Sequence, residues 1–117
     1  MAIPSGSGTE VLKRVTTTGD HATAQVALTV TALHIYTILS ITICEQGSND
    51  ENCTISMTDA ANSNREIMIC QSQTLNAFET FVWNDKFVLH PADTLKIKTG
   101  SASDIDCLVT YIDQDWS

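Results

Sequence analysis

The sequence predicts an all-β chain, an antiparallel β-sandwich of about eight short strands, on three observations. Apolar side chains recur with a period of two over most of the length. Thr, Val and Ile fill the alternating stretches, and clusters of Gly, Asn, Asp, Ser and Pro separate them at short intervals. β-Branched residues are stiff at χ1 and suit a pleated, half-buried surface. Helical periodicity is nearly absent.

Residues 1–9 include Pro4-Ser5-Gly6-Ser7-Gly8 and read as a flexible arm, which leaves 10–117 as a single domain. After the turn signal Thr18-Gly19-Asp20, Val26, Leu28 and Val30 alternate with Ala27, Thr29 and Thr31. The strongest strand runs from Ile35 to Cys44. Ile35, Thr37, Leu39, Ile41 and Ile43 are expected on one face, with Tyr36, Ile38, Ser40 and Thr42 on the other. Both faces are fairly apolar, which suggests a central strand packed on both sides, or one whose outer face meets another subunit. Next come Cys53, Ile55 and Met57, then a turn over 59–64, then Ile67 and Ile69. Leu75, Phe78 and Val82 have roughly helical spacing, yet Thr74, Thr80, Phe81, Val82 and Trp83 favour extended backbone, so the stretch from Leu75 to Phe81 is expected as a strand. Turns at Asn84-Asp85 and His90-Pro91-Ala92-Asp93 precede Leu95 and Ile97, which alternate with Lys96 and Lys98. Past Thr99-Gly100-Ser101, the last strand carries Ile105, Cys107, Val109 and Tyr111 on one face.

A chain of 117 residues should bury about two-thirds of its surface, roughly 6,200 Å² remaining exposed of about 18,000 Å² unfolded, so one core forms without a metal or disulfide staple. Six Lys and Arg against 14 Asp and Glu give a net charge of -8. That balance lacks the cationic footprint that displaces counterions from nucleic acid, and it repels anionic membranes. No nucleic-acid or membrane partner is therefore expected. The N-terminus has no basic region followed by an apolar core, so no export signal is expected either.

Cys44, Cys53, Cys70 and Cys107 form no CxxC pair and no Cys/His cluster, which argues against zinc and for free thiols acting as small core residues. A Cys44–Cys53 bridge across a hairpin is the main alternative, because both flank the polar stretch 45–52. No nucleophile elbow, phosphate-binding loop or EF-hand loop is present. His21, His34 and His90 read as ordinary surface, core or strand-edge residues. The acidic stretches 49–52 and 103–106 could supply oxygen ligands to a cation but read as solvated loops. No catalytic residue, metal or cofactor is expected. Phe81, Trp83 and Phe87 suit the core, whereas Trp116, one residue from the C-terminus, is a candidate for packing on a neighbouring chain.

The opening Met1 to Arg14, the strand His34-Ile35-Tyr36-Thr37-Ile38-Leu39-Ser40-Ile41 and the later segment Phe87 to Thr99 resemble small virion proteins of tailed bacteriophages. In such proteins a "YTILSI" strand is followed near the end by a "vLpaGDtLkv" turn and a last strand of the "dvlvsYie" kind. Here the last strand reads Ile105 to Ile112, and Ala92 stands where the pattern has Gly. The resemblance implies a sandwich of jelly-roll type that acts as a capsid decoration, or cement, protein on the outer capsid surface, assembled in the bacterial host cytoplasm. A tail or fibre component of the same virion is the alternative. It also implies two partners, the major capsid protein and further copies of the chain itself as a homotrimer or homodimer. The N-terminal stretch would supply contacts, with Ile3, Pro4, Val11 and Leu12 as interface candidates beside Trp116.

Overall fold

Alternating apolar and polar side chains bury one face of an extended backbone, and sheets are what such segments build. The computed structural model describes residues 9–117, and among them all regular structure is β apart from one 3₁₀ turn, Ala60–Asn62. The strands are β1 (Thr9–Gly19), β2 (Gln25–Thr29), β3 (His34–Glu45), β4 (Glu51–Asp59), β5 (Arg65–Leu75), β6 (Thr80–Trp83), β7 (Phe87–Leu89), β8 (Thr94–Thr99) and β9 (Ile105–Asp115). One antiparallel sheet has the order β1-β9-β3-β6, with β7 also on β3, and the other has the order β2-β8-β4-β5. β6 pairs with Ile41–Cys44 and β7 with Tyr36–Ile38, so the two lie end to end as one interrupted strand. Counted that way there are eight strands. The chain changes sheet at every connection except β4–β5 and β6–β7, which is a jelly roll.

The inner faces meet in one core. Ile38, Ile41, Ile43, Ile105 and Val109 of the first sheet pack with Ile55, Leu95 and Ile97 of the second, all fully buried. Phe81, Trp83 and Phe87 pack half-buried against this cluster.

Bulges change the expected faces. In β3 the register on β9 shifts between Ile38 and Ser40, so Leu39 is the extra residue. One inserted residue flips the phase of all that follow. Tyr36 and Ile38 therefore face the core together with Ile41 and Ile43, instead of lying on opposite faces, and Ile35 and Thr37 take the outer face, where Ile35 is nonetheless buried. A second shift, between Val26 and Leu28, leaves Val26 exposed while Leu28 and Val30 are buried. The stretch expected as one strand from Leu75 to Phe81 is broken: Leu75 ends β5, Phe78 takes a left-handed φ of 59°, and β6 begins at Thr80. Residues 46–50 are a crossover between sheets and not a hairpin, so Cys44 and Cys53 lie in different sheets. All four thiols are free. Thr9, expected in the arm, is the first residue of β1. The rest of the arm lies outside the described residues.

At one end of the sandwich three loops converge on Asp93, which is 3% exposed. Its Oδ1 accepts from the Ala60 N–H (2.9 Å) and its Oδ2 from the His90 N–H (2.9 Å). Its backbone carbonyl accepts from Val30 N–H (2.9 Å), and Ala92 N–H donates to the Val30 carbonyl (3.0 Å). One residue thereby ties the β2–β3, β4–β5 and β7–β8 connections. At the other end Glu51 accepts from the Ser101 N–H (2.9 Å) and hydroxyl (2.8 Å). His21, fully buried, donates from Nδ1 to the Gly19 carbonyl (2.9 Å), with Nε2 2.9 Å from the Thr17 hydroxyl.

Ala92 sits at φ 72°, the conformation that the glycine of the resembled pattern adopts without strain. Left-handed backbone costs an L-residue roughly 1–2 kcal/mol, so Ala92→Gly should raise the urea midpoint and the melting temperature. Asp93→Asn swaps one acceptor oxygen for a donor facing an N–H and should destabilise the fold by about 2–3 kcal/mol. An unchanged urea midpoint for Asp93→Asn would show that the three loops hold without the carboxylate.

Candidate assembly surface

Several titratable side chains are arranged as structural ties. Lys13 on β1, His34 on β3 and Asp113 on β9 are brought together by the pairing of those strands. Lys13 Nζ donates to Asp113 Oδ2 (2.8 Å), His34 Nδ1 to Asp113 Oδ1 (2.6 Å), and His34 Nε2 lies 3.4 Å from Asp115. Burial acts to raise the Asp113 pKa, but the hydrogen bonds from Lys13 and His34 outweigh it and hold the carboxyl below its usual range. The same contact raises Lys13. Burial pushes Cys53 up to about 12 and Cys107 up to about 11, so both stay protonated and make poor nucleophiles. The acidic stretches 49–52 and 103–106 meet at the far end of the sandwich, where Gln46 N–H donates to the Asp104 carbonyl (2.8 Å). Carboxylates in these stretches bind protein groups: Asp50 accepts from Ala77 N–H (3.0 Å), Glu51 from Ser101 N–H (2.9 Å), and Asp106 from Thr18 and Gln46, while the neighbouring Glu45 accepts from Gly47 N–H (2.7 Å). Among the described residues no three His, Cys, Asp or Glu side chains are grouped to hold a metal.

The outer face of the β1-β9-β3-β6/β7 sheet is of a different kind. Register places Leu12, Ile112, Thr37 and Val88 in one cross-strand row, and Thr16, Leu108, Thr42 and Val82 in another. Arg14, Thr110 and Ser40 lie between them. Leu12 is 68% exposed, Val82 51% and Val88 48%. The charged side chains on this face are Glu10, Arg14 and Asp106, and Glu10 accepts from Gln114 Nε2 (2.7 Å). Hydroxyls and branched apolar groups with few charges make a surface that loses little on desolvation, as the centre of a protein interface must. A shallow groove crosses it, lined by Arg14, Thr16, Thr18, Thr42, Cys44 and Leu108 among others.

Of the interface candidates in the sequence, Leu12 is on this face and Val11 is exposed on the opposite face of the same strand. Ile3 and Pro4 lie outside the described residues. Trp116 is half-buried: its N–H donates to the Leu33 carbonyl (3.0 Å), and its indole Nε1 is buried without a partner among the described residues. Val82 was legible only as a strand-favouring residue, and Val88 only as part of the segment Phe87 to Thr99. What makes them surface residues is their register on β3, which no local pattern contains.

No protein-family model matches the chain, and no curated protein does either. Solved structures do. A chain of the disulfide-linked pili of Bacillus endospore appendages is 19% identical with a TM-score of 0.53, covering 96% of this chain and 93% of that one. A capsid chain of the Helicobacter pylori bacteriophage KHP30 is 7% identical with a TM-score of 0.56, covering 94% of each. An infectious bursal disease virus chain is 8% identical with a TM-score of 0.57, covering 95% of this chain but 34% of that one. What is shared is the jelly-roll fold.

The Asp113 tie gives a pH signature. A carboxyl whose folded pKa lies below its unfolded value contributes stability above the unfolded pKa of about 3.9, which disappears as pH falls through the folded value. Asp113→Asn should thus be less stable than the unsubstituted protein at pH 7, and the gap should narrow below pH about 4. A gap independent of pH would mean that Asp113 serves by shape alone.

Proposed function

We propose that the chain is a structural subunit of a bacteriophage virion, a capsid decoration protein that docks on the outer shell and bridges capsomers. The observation that carries this reading is the outer face around Leu12, Ile112, Thr37 and Val88, a surface of cross-strand apolar rows with exposed side chains and few charges. The fold held in common with a phage capsid chain supports it, as does the use of the titratable groups as ties within the fold. The function is non-enzymatic in this reading. Its partners are the major capsid protein and other copies of the chain, and the N-terminal stretch with Ile3 and Pro4 reaches over an adjacent capsomer.

Copy number tests the location. A decoration protein should be present in hundreds of copies per purified particle by gel densitometry, and a handful would identify a tail or fibre component instead. Deleting residues 2–8, or replacing Val88 with Asp, should leave the melting temperature within about 3 °C of normal, because surface changes rarely exceed 0.5 kcal/mol, while occupancy on the particle falls. Full occupancy of both variants would remove the arm and the sheet face from the docking surface.

A further inference from the structure

We infer that two copies of the chain join through β1, antiparallel about a two-fold axis, with Leu12 facing Leu12 of the second copy, so that the two β1-containing sheets become one. Among the described residues four strand edges are available, and three are blunted. β6 and β7 are short and interrupted at Asn84-Asp85-Lys86. β2 has five residues and a bulge. β5 carries two register shifts and Ser72 at φ 53°. β1 is different: eleven residues pair one for one with β9 without a shift, and among the described residues its other edge has no strand partner. A long regular edge of that kind is a template for another strand.

The side chains of β1 are self-complementary in this register. Glu10, Leu12 and Arg14 share the outer face, and a two-fold axis at Leu12 sets each Glu10 opposite the other copy's Arg14 and the two Leu12 side chains against each other. Opposite charges directly across an antiparallel pair are stabilising, and like charges there are destabilising. Gln114 on β9 donates to Glu10 Oε1 only (2.7 Å), which leaves Oε2 for a second partner, and Arg14 has no ion pair among the described residues. On the inner face each Val11 meets the aliphatic stem of the other copy's Lys13, whose amine stays on Asp113. Shifting the axis to Arg14 would oppose two guanidinium groups, so charge selects the register. The apolar row Leu12, Ile112, Thr37 and Val88 would then continue across the junction.

The inference rests on the assembly reading above, and its test separates the two. Sedimentation velocity over a micromolar concentration series should show a dimer for the unsubstituted chain. Glu10→Arg alone and Arg14→Glu alone should each weaken dimerisation on the order of tenfold, since both pairs become like-charged. The double variant Glu10→Arg/Arg14→Glu should dimerise as before, and mixing the two single variants should give a heterodimer, which also shows that neither is misfolded. A chain that stays monomeric, or a dimer indifferent to both single reversals, overturns the pairing. Normal decoration of particles by a monomeric chain would overturn it alone and leave the proposed function standing.

Discussion

Two sheets that exchange the chain at almost every connection must be closed at their ends by loops, and loops satisfy few of their own backbone groups. At one end of this molecule that problem converges on the Asp93 carboxylate. It is buried, yet both oxygens accept backbone N–H groups from different loops, and its own carbonyl receives a third. A buried charge is tolerable only when so surrounded, and a neutral residue of the same size could not accept on both sides. The β7–β8 turn must bring Asp93 to the right depth, which it does by holding Ala92 in the left-handed region. Local backbone strain at Ala92 and three-loop closure at Asp93 are thus one feature.

The fold class was legible because periodicity of two and the Thr, Val and Ile content are properties of local sequence, and turn clusters mark the strand ends wherever Gly, Asn, Asp or Pro is needed. What was not legible is phase. The extra residue at Leu39 is an ordinary hydrophobic residue in an ordinary strand, and nothing at that position announces a bulge. Its effect is global, because every side chain beyond it changes face. The same holds for Ala27 in β2. Strand β1 was hidden for the complementary reason: Val11, Leu12, Lys13, Arg14 and Val15 do not alternate, and the segment is extended because β9 offers it an edge. The supposed hairpin between Cys44 and Cys53 failed because a polar loop of eight residues looks alike whether it turns within a sheet or crosses between two.

The candidate surface was less legible than the fold. An interface residue announces itself by being apolar and exposed, and exposure follows from register. Leu12 could be suspected from its place near the start of the chain. Val88 could not, since a three-residue strand beside β3 exists only in the folded molecule. Trp116, read as a candidate for packing on a neighbouring chain, is half-buried, with its backbone N–H on the Leu33 carbonyl.

Edges and faces are linked in this architecture. A sheet that presents a weakly charged, hydroxyl-rich outer face needs only one open edge to extend that face into a second molecule, and the open edge here adjoins the most exposed large hydrophobic residue of the face, Leu12. In the proposed pairing, bulges and a broken strand at the other edges confine growth to one direction, and the two-fold operator ends it at two copies, because an isologous contact consumes the edge it uses. The Lys13–Asp113–His34 tie lies beside that edge, joining β1, β9 and β3 from the inner side. It keeps β1 in register while its outer side is offered to a partner. A strand that frayed from β9 could not template another, so the buried carboxylate of Asp113 makes the proposed junction possible without touching it.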